Sequence, residues 1–167
     1  MKKKNKQLFI TGGLATLLVL VSSFIVLTSG EKTEEGRKQG TAQTEGNIVI
    51  AKEEITETAS FYPYEINGVN LEVMAVKAED GTIRTAFNTC QICYSSGRGY
   101  YKQEGNYIVC QNCGNAYTSN DVEVITGGCN PVPITKENKT ETLDSITIDR
   151  ELLEEYQSIF ANWKRYS

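Results

Sequence analysis

Apolar and polar positions divide this chain into three stretches with different rhythms. From Leu8 to Leu27 twenty residues run without a charge, about the length an α-helix needs to cross a hydrocarbon core. Residues 28–46 carry no large apolar side chain and cannot offset the entropy of folding. From residue 47 short apolar runs alternate with turn residues. "NIVIA" is β-rich, and "SFYPYEINGVNLEVMAV" is two strand-like stretches around Asn67-Gly68, a strong hairpin signal. Asp80-Gly81 turns the chain into a further strand, and "YYKQEGNYIV" reads as a hairpin turning near Glu104-Gly105-Asn106. "DVEVITGG" and "PVPIT" are also expected to be strands. The rhythm changes at the end, where Leu152, Leu153, Tyr156, Ile159, Phe160 and Trp163 recur at helical spacing. Asp149 is placed to cap that helix and Lys164 and Arg165 to suit its C-terminal dipole.

The fold expected is mainly β: a small antiparallel barrel or sandwich, with one N-terminal transmembrane helix and a C-terminal amphipathic helix packed on the sheet. Residues 1–29 are read as a cytoplasmic basic tip and transmembrane anchor. Residues 30–46 are read as a flexible linker and residues 47–167 as an extracytoplasmic domain. The orientation follows from Lys2, Lys3, Lys4 and Lys6 before the apolar run, since a positive flank stays in the cytoplasm. Cleavage near Thr28, Ser29 and Gly30, as in a signal peptide, is the alternative; signal peptides usually carry a shorter apolar core of roughly 7–15 residues.

Charge narrows the partners. Four of the 17 basic residues lie in the first six positions, leaving 13 against 21 acidic ones. An outer domain this acidic is not expected to bind nucleic acid or to dock on anionic lipid. No nucleophile–base pair or paired-acid arrangement stands out, so no enzyme activity is expected. Asn138-Lys139-Thr140 matches a glycosylation acceptor, a short and unspecific pattern.

The chemistry lies in the cysteines. Cys90-x-x-Cys93 and Cys110-x-x-Cys113 are separated by sixteen residues, and the chain has no histidine. Each pair can fold as a tight turn with both sulfurs aimed at a common centre, and a hairpin between them joins the turns into a two-knuckle, four-cysteine metal site. Gly114 after the second pair relieves backbone crowding; Tyr94 stands at the matching place after the first. Three occupants are open on these residues alone: disulfides, the default for an exported chain; zinc; or an iron–sulfur cluster held by four thiolates. Thiolate softness suits both metals. Tyr94, Tyr100, Tyr101, Tyr107 and Tyr117 crowd the same stretch, either as strand residues that pack or as a shell limiting water access to the sulfurs. Arg98 and Lys102 lie between the pairs, on a solvated face or as a counter-charge to the site. Cys129, in "GGCNP", has no assigned role: a thiol, a disulfide partner and a replacement ligand are all open.

The stretch from Phe61 to Tyr117, with its Asn-Gly hairpin, both cysteine pairs and "GYYKQEG", followed by "GGCNPVPI", resembles the FtrD-like family of membrane iron–sulfur proteins. The resemblance covers roughly residues 59 to 135. It implies a ferredoxin-like component of iron uptake, membrane-anchored and extracytoplasmic, holding an iron–sulfur cluster, expected as [2Fe–2S], on Cys90, Cys93, Cys110 and Cys113. Its implied partners are an iron permease or ABC-type transporter and an electron-transfer protein. Many relatives carry several membrane spans, whereas this chain has one candidate. A weaker likeness is to Rieske domains, with cysteine wherever those have histidine. The alternative to an electron carrier is a zinc-stabilised accessory module of a transporter. A dithiol oxidoreductase using Cys90 and Cys93 is a third reading, without the βαβ context such enzymes show.

Overall fold

A computed structural model describes residues 46–165 and the backbone of Lys38–Gln39. The expected anchor over 1–29 and the rest of the 30–46 linker lie outside the described residues. No helix among the described residues is long and apolar enough to cross a membrane.

The largest sheet is built from β3 (Ser60–Ile66), β4 (Val69–Lys77), β5 (Ile83–Cys90) and β9 (Pro131–Pro133), each antiparallel to the next. A two-residue strand, β1 (Lys38–Gln39), runs parallel beside Ser60–Phe61. Pro63 sits further along β3, past that pairing, where its missing N–H interrupts no ladder. The β3–β4 turn is Asn67-Gly68, with φ of 50° and 76°; both residues are left-handed, as the hairpin turn matching strand twist requires. A second sheet orders β10 (Thr140–Glu141), β11 (Ser145–Ile148) and β2 (Ile48–Ala51). A third orders β6 (Tyr101–Glu104), β7 (Tyr107–Cys110) and β8 (Ala116–Tyr117).

Strand β4 explains how these pieces assemble. Successive strand residues point to opposite faces, and both faces of β4 are buried. Leu71, Val73 and Ala75 join one apolar cluster with Ile48, Ile50, Ile146, Ile148 and Leu153. Met74 and Val76 join another with Cys90, Tyr101, Ile108 and Cys110. The central sheet thus carries the second sheet and the C-terminal helix on one face and the cysteine hairpins on the other. This is a layered sandwich. The sheets do not close into the barrel that was the other expectation.

Two elements differ from their sequence-based reading. The C-terminal helix is short: α1 (Arg150–Tyr156) tightens into a 3-10 turn over Gln157–Phe160. The chain must leave the helix because it bonds back to the loop after Cys93, with Gly97 N–H donating to Asn162 C=O (2.8 Å) and Arg165 N–H to Gly97 C=O (2.9 Å). The expected stripe still packs on the core, burying Leu153, Phe160 and Trp163. Phe87 of β5 stacks on Tyr156 at 4.9 Å between centroids and meets Phe160 edge-on at 5.8 Å. The Asp149 side chain makes no cap. Asn47, a hundred residues upstream, takes that place: its Oδ1 accepts the Arg150 N–H (3.0 Å) and its Nδ2 donates to Asp149 (2.9 Å).

"DVEVITGG" is a run of turns, with Val124 and Ile125 exposed. Asp121 sets them by accepting from the Thr118 N–H and hydroxyl, both at 2.7 Å. Glu123, at φ 68°, then turns its carboxylate onto the β5 backbone, accepting the Thr85 N–H at 2.9 Å. Lys139 seals this contact from a nearly fully buried position, 2.8 Å from Glu123 and 3.5 Å from Glu141, donating also to Thr85 Oγ1 at 2.9 Å.

Candidate metal centre

Each cysteine pair sits where a strand ends. Cys90 is the last residue of β5 and Cys110 the last of β7, so each first cysteine is fixed by a ladder and the turn that follows aims the second. The turns are built alike. Cys90 N–H donates to Gly99 C=O (2.7 Å), and Cys110 N–H to Asn115 C=O (2.9 Å). In the first, Cys93 N–H reaches back to Cys90 Sγ (3.3 Å), and in the second, Gly114 N–H closes on Cys110 C=O (2.9 Å).

The exits differ, as Tyr94 and Gly114 foreshadow. Gly114 leaves the second turn directly at φ 77°. The first turn runs on through a 3-10 turn over Tyr94–Ser96 before Gly97 reverses it at φ 80°. Gly99 then passes so close to Cys93 that a Cβ there would lie 2.3 Å from its carbonyl oxygen. Only glycine fits.

Asn88 joins the two turns. It is fully buried on β5; its Oδ1 accepts the Tyr101 N–H (2.8 Å), and its Nδ2 donates to Tyr101 C=O (3.3 Å) and to Glu72 (2.5 Å). Both backbone groups of the first β6 residue are thereby held against β5. Nothing in the sequence marks Asn88 apart from its place two residues before a cysteine.

The sulfurs converge. Those of Cys93, Cys110 and Cys113 lie within 4.8 Å of one another, and so do those of Cys90, Cys93 and Cys129. The four residues expected at the site are thus brought together through Cys93, and Cys129 comes in with them. All five are free thiols. Cys90, Cys93 and Cys110 are buried, Cys129 is half-buried and Cys113 is exposed.

Of the five tyrosines near the site in sequence, two wall it. Tyr101 is fully buried, 6.3 Å from Tyr117 in an edge-on pair, and both adjoin the buried cysteines. The Tyr101 hydroxyl donates to the Cys129 carbonyl. Tyr100 turns to the opposite core, edge-on to Trp163 at 6.0 Å, while Tyr94 and Tyr107 are exposed. Arg98 forms a backbone bridge with Lys164, and Lys102 faces Val109 across the β6–β7 ladder.

The thiols are electrostatically unlike. Burial alone would raise Cys90, but hydrogen bonds from the Cys93 amide, the Tyr101 hydroxyl and the Ile92 amide outweigh it and leave the thiol below its ordinary value. Burial raises Cys93 and pushes Cys110 up to about 12. At Cys113 burial is outweighed by the Asn115 amide and the neighbouring sulfurs, so its thiol is lowered. Cys129 donates to Cys113, which, with burial, pushes it up to about 12. Each turn therefore pairs a lowered thiol with a raised one, and a metal binding there would displace the protons still held. Convergent thiols with no histidine, aimed by backbone N–H groups, are a donor set that fits an iron–sulfur cluster and also zinc.

No curated protein matches the chain. The family model of the FtrD-like membrane iron–sulfur containing proteins matches residues 55–160, which span the central sheet, both cysteine turns, Cys129 and the C-terminal helix. The chain belongs to the FtrD-like family of membrane iron–sulfur containing proteins.

Proposed function

We propose that this protein is a membrane-anchored, extracytoplasmic electron carrier that holds a [2Fe–2S] cluster on Cys90, Cys93, Cys110 and Cys113 and serves iron acquisition. The observation that carries the reading is the convergence of both Cys-x-x-Cys turns on one sulfur-lined site in a chain of an iron–sulfur family. Bound there, the cluster supplies a one-electron oxidation and reduction.

The chain's own residues supply the rest. Cys90 and Cys110 are held by ladders on two different sheets, and Asn88 fixes one sheet against the other, so the ligand frame is rigid. Rigidity keeps the geometry common to both oxidation states and favours rapid electron exchange. Tyr101 and Tyr117 exclude water from the buried side, and exposed Cys113 leaves one side open to a partner. Hydrogen bonds to the sulfurs, such as Cys93 N–H to Cys90 Sγ, set the potential. An all-thiolate site is expected to lie lower than a Rieske centre, which has two imidazole ligands.

The anchor over Leu8–Leu27 would keep the domain at the membrane, where the family resemblance suggests an iron permease or ABC-type transporter as neighbour and an electron-transfer protein as donor or acceptor. The function is then carriage of electrons, with no catalysed reaction of its own. The test is metal and acid-labile sulfide analysis of the anaerobically purified chain, with its visible spectrum. Iron and sulfide in equal amounts, with colour lost on reduction, support the reading; a colourless protein with one zinc per chain, made with iron supplied, replaces it with a zinc-stabilised transporter module.

A further inference from the structure

We propose that Cys129 is a fifth, reserve ligand of the centre, interchangeable with Cys113. This rests on the metal-site reading above and goes beyond it.

Cys129 is no isolated thiol. Its sulfur lies within 4.8 Å of both Cys90 and Cys93, the same reach that Cys113 has to Cys93 and Cys110. Cys93 is common to both groups, so the Cys113 and Cys129 sulfurs each lie within 4.8 Å of the Cys93 sulfur. Two sulfurs of different origin, one on the second turn and one on a distant loop, therefore converge on Cys93, and they are the two least buried of the five.

The loop is built to hold that position. After Cys129, Gln91 N–H of the first turn donates to Asn130 C=O (3.1 Å), and Pro131 pairs with Cys90 across β5 and β9. At Cys129 itself the carbonyl receives the Tyr101 hydroxyl. Before it, Gly127 and Gly128 are both left-handed, at φ 85° and 65°, with open space where a Cβ would be. Glycine is needed there for its dihedral freedom alone. Further back, the buried Glu123–Lys139 pair fastens the loop to β5. A half-buried thiol that merely packed would not need a loop fixed at both ends and turned through two left-handed residues.

Cys113 is also the ligand with most reason to be replaced. It is the exposed sulfur of the five, hence the first reached by protons and oxidants outside the membrane. Exchange is balanced. The Cys129 thiol would give up its proton on becoming a ligand, and the released Cys113 sulfur would take one up. Neither electron count nor net charge would change.

The experiment uses the full chain in detergent, purified anaerobically, as wild type, Cys113→Ser, Cys129→Ser and Cys110→Ser. Iron and sulfide per chain, the electron paramagnetic resonance spectrum of the reduced protein, and alkylation of each cysteine by iodoacetamide are measured on all four. The expected result is that Cys113→Ser keeps wild-type iron content with shifted g values, whereas Cys110→Ser loses it. Cys129 is alkylated in the loaded wild type and protected in loaded Cys113→Ser; Cys129→Ser loads like wild type. Loss of metal from Cys113→Ser equal to that from Cys110→Ser overturns the proposal, as does a Cys129 that stays reactive in loaded Cys113→Ser. If the wild type holds zinc without sulfide, the iron–sulfur reading falls, yet zinc content and Cys129 protection in the same variants still decide the ligand claim.

Discussion

Tyr101 donates its hydroxyl to the backbone carbonyl of Cys129, although it lies 28 residues before it and on a different sheet from the strand that follows Cys129. The same side chain shares a buried cluster with Cys90 and Cys110, and its hydroxyl helps to lower the Cys90 thiol. One buried side chain thus connects the first cysteine turn, the second hairpin and the Cys129 loop. Tyr101→Phe keeps the ring and removes the donor. Thermal or denaturant unfolding is expected to show a loss of about 1 kcal/mol, more if the stranded carbonyl finds no water. The reduction potential is expected to fall, since a sulfur with fewer hydrogen-bond donors favours the oxidised centre. An unchanged potential would show that the hydroxyl serves the fold alone.

Gly99→Ala places a methyl 2.3 Å from the Cys93 carbonyl oxygen, against backbone on a tight turn. Nothing flexible is available to give way. The variant is expected to lose most of its metal and to unfold at a markedly lower temperature, whereas Gly105→Ala, with open space but a φ of 60°, loses stability and keeps metal. Metal analysis of the two side by side checks this.

Lys139→Met removes the cation from a nearly fully buried ion pair and leaves Glu123, itself largely buried, facing the β5 backbone unpaired by charge. Breaking such a pair costs about 3 kcal/mol or more, read by denaturant titration. Replacing both partners, as Lys139→Met with Glu123→Gln, is expected to recover part of that loss.

Removing the metal by chelation without oxygen exposes the difference among the thiols. The thiolate is the reactive form; Cys113 is exposed with its thiol lowered, while Cys110 is buried and pushed up to about 12. Cys113 therefore combines a lowered thiol with exposure, and iodoacetamide followed by peptide mass mapping is expected to label it first and Cys110 last. The reverse order would contradict the electrostatics of the site.

What the sequence discloses is local. Asn67-Gly68 sets its hairpin through the dihedrals of two residues, and the Cys-x-x-Cys spacing sets each turn within four, so both are readable without the fold. The apolar stripe of the C-terminal segment is likewise legible, because its spacing needs only one helix. Where the partner is distant, the reading fails. Val122 and Val124 look like strand residues, but Glu123 is drawn to Thr85 and Lys139, and the segment turns instead. Asp149 looks like a cap, yet Asn47 reaches the helix first. Cys129 joins the other sulfurs because β9 pairs with β5, a contact that no spacing along the chain reveals.

The electron-carrier reading stands or falls on whether the site accepts and returns one electron intact. The direct measurement is a potentiometric titration of the anaerobically purified full chain, followed by visible absorption and electron paramagnetic resonance. A single one-electron transition is expected, at a potential below the Rieske range, with the oxidised spectrum fully regained on reoxidation. Absence of any transition, or bleaching that reoxidation does not reverse, would contradict it.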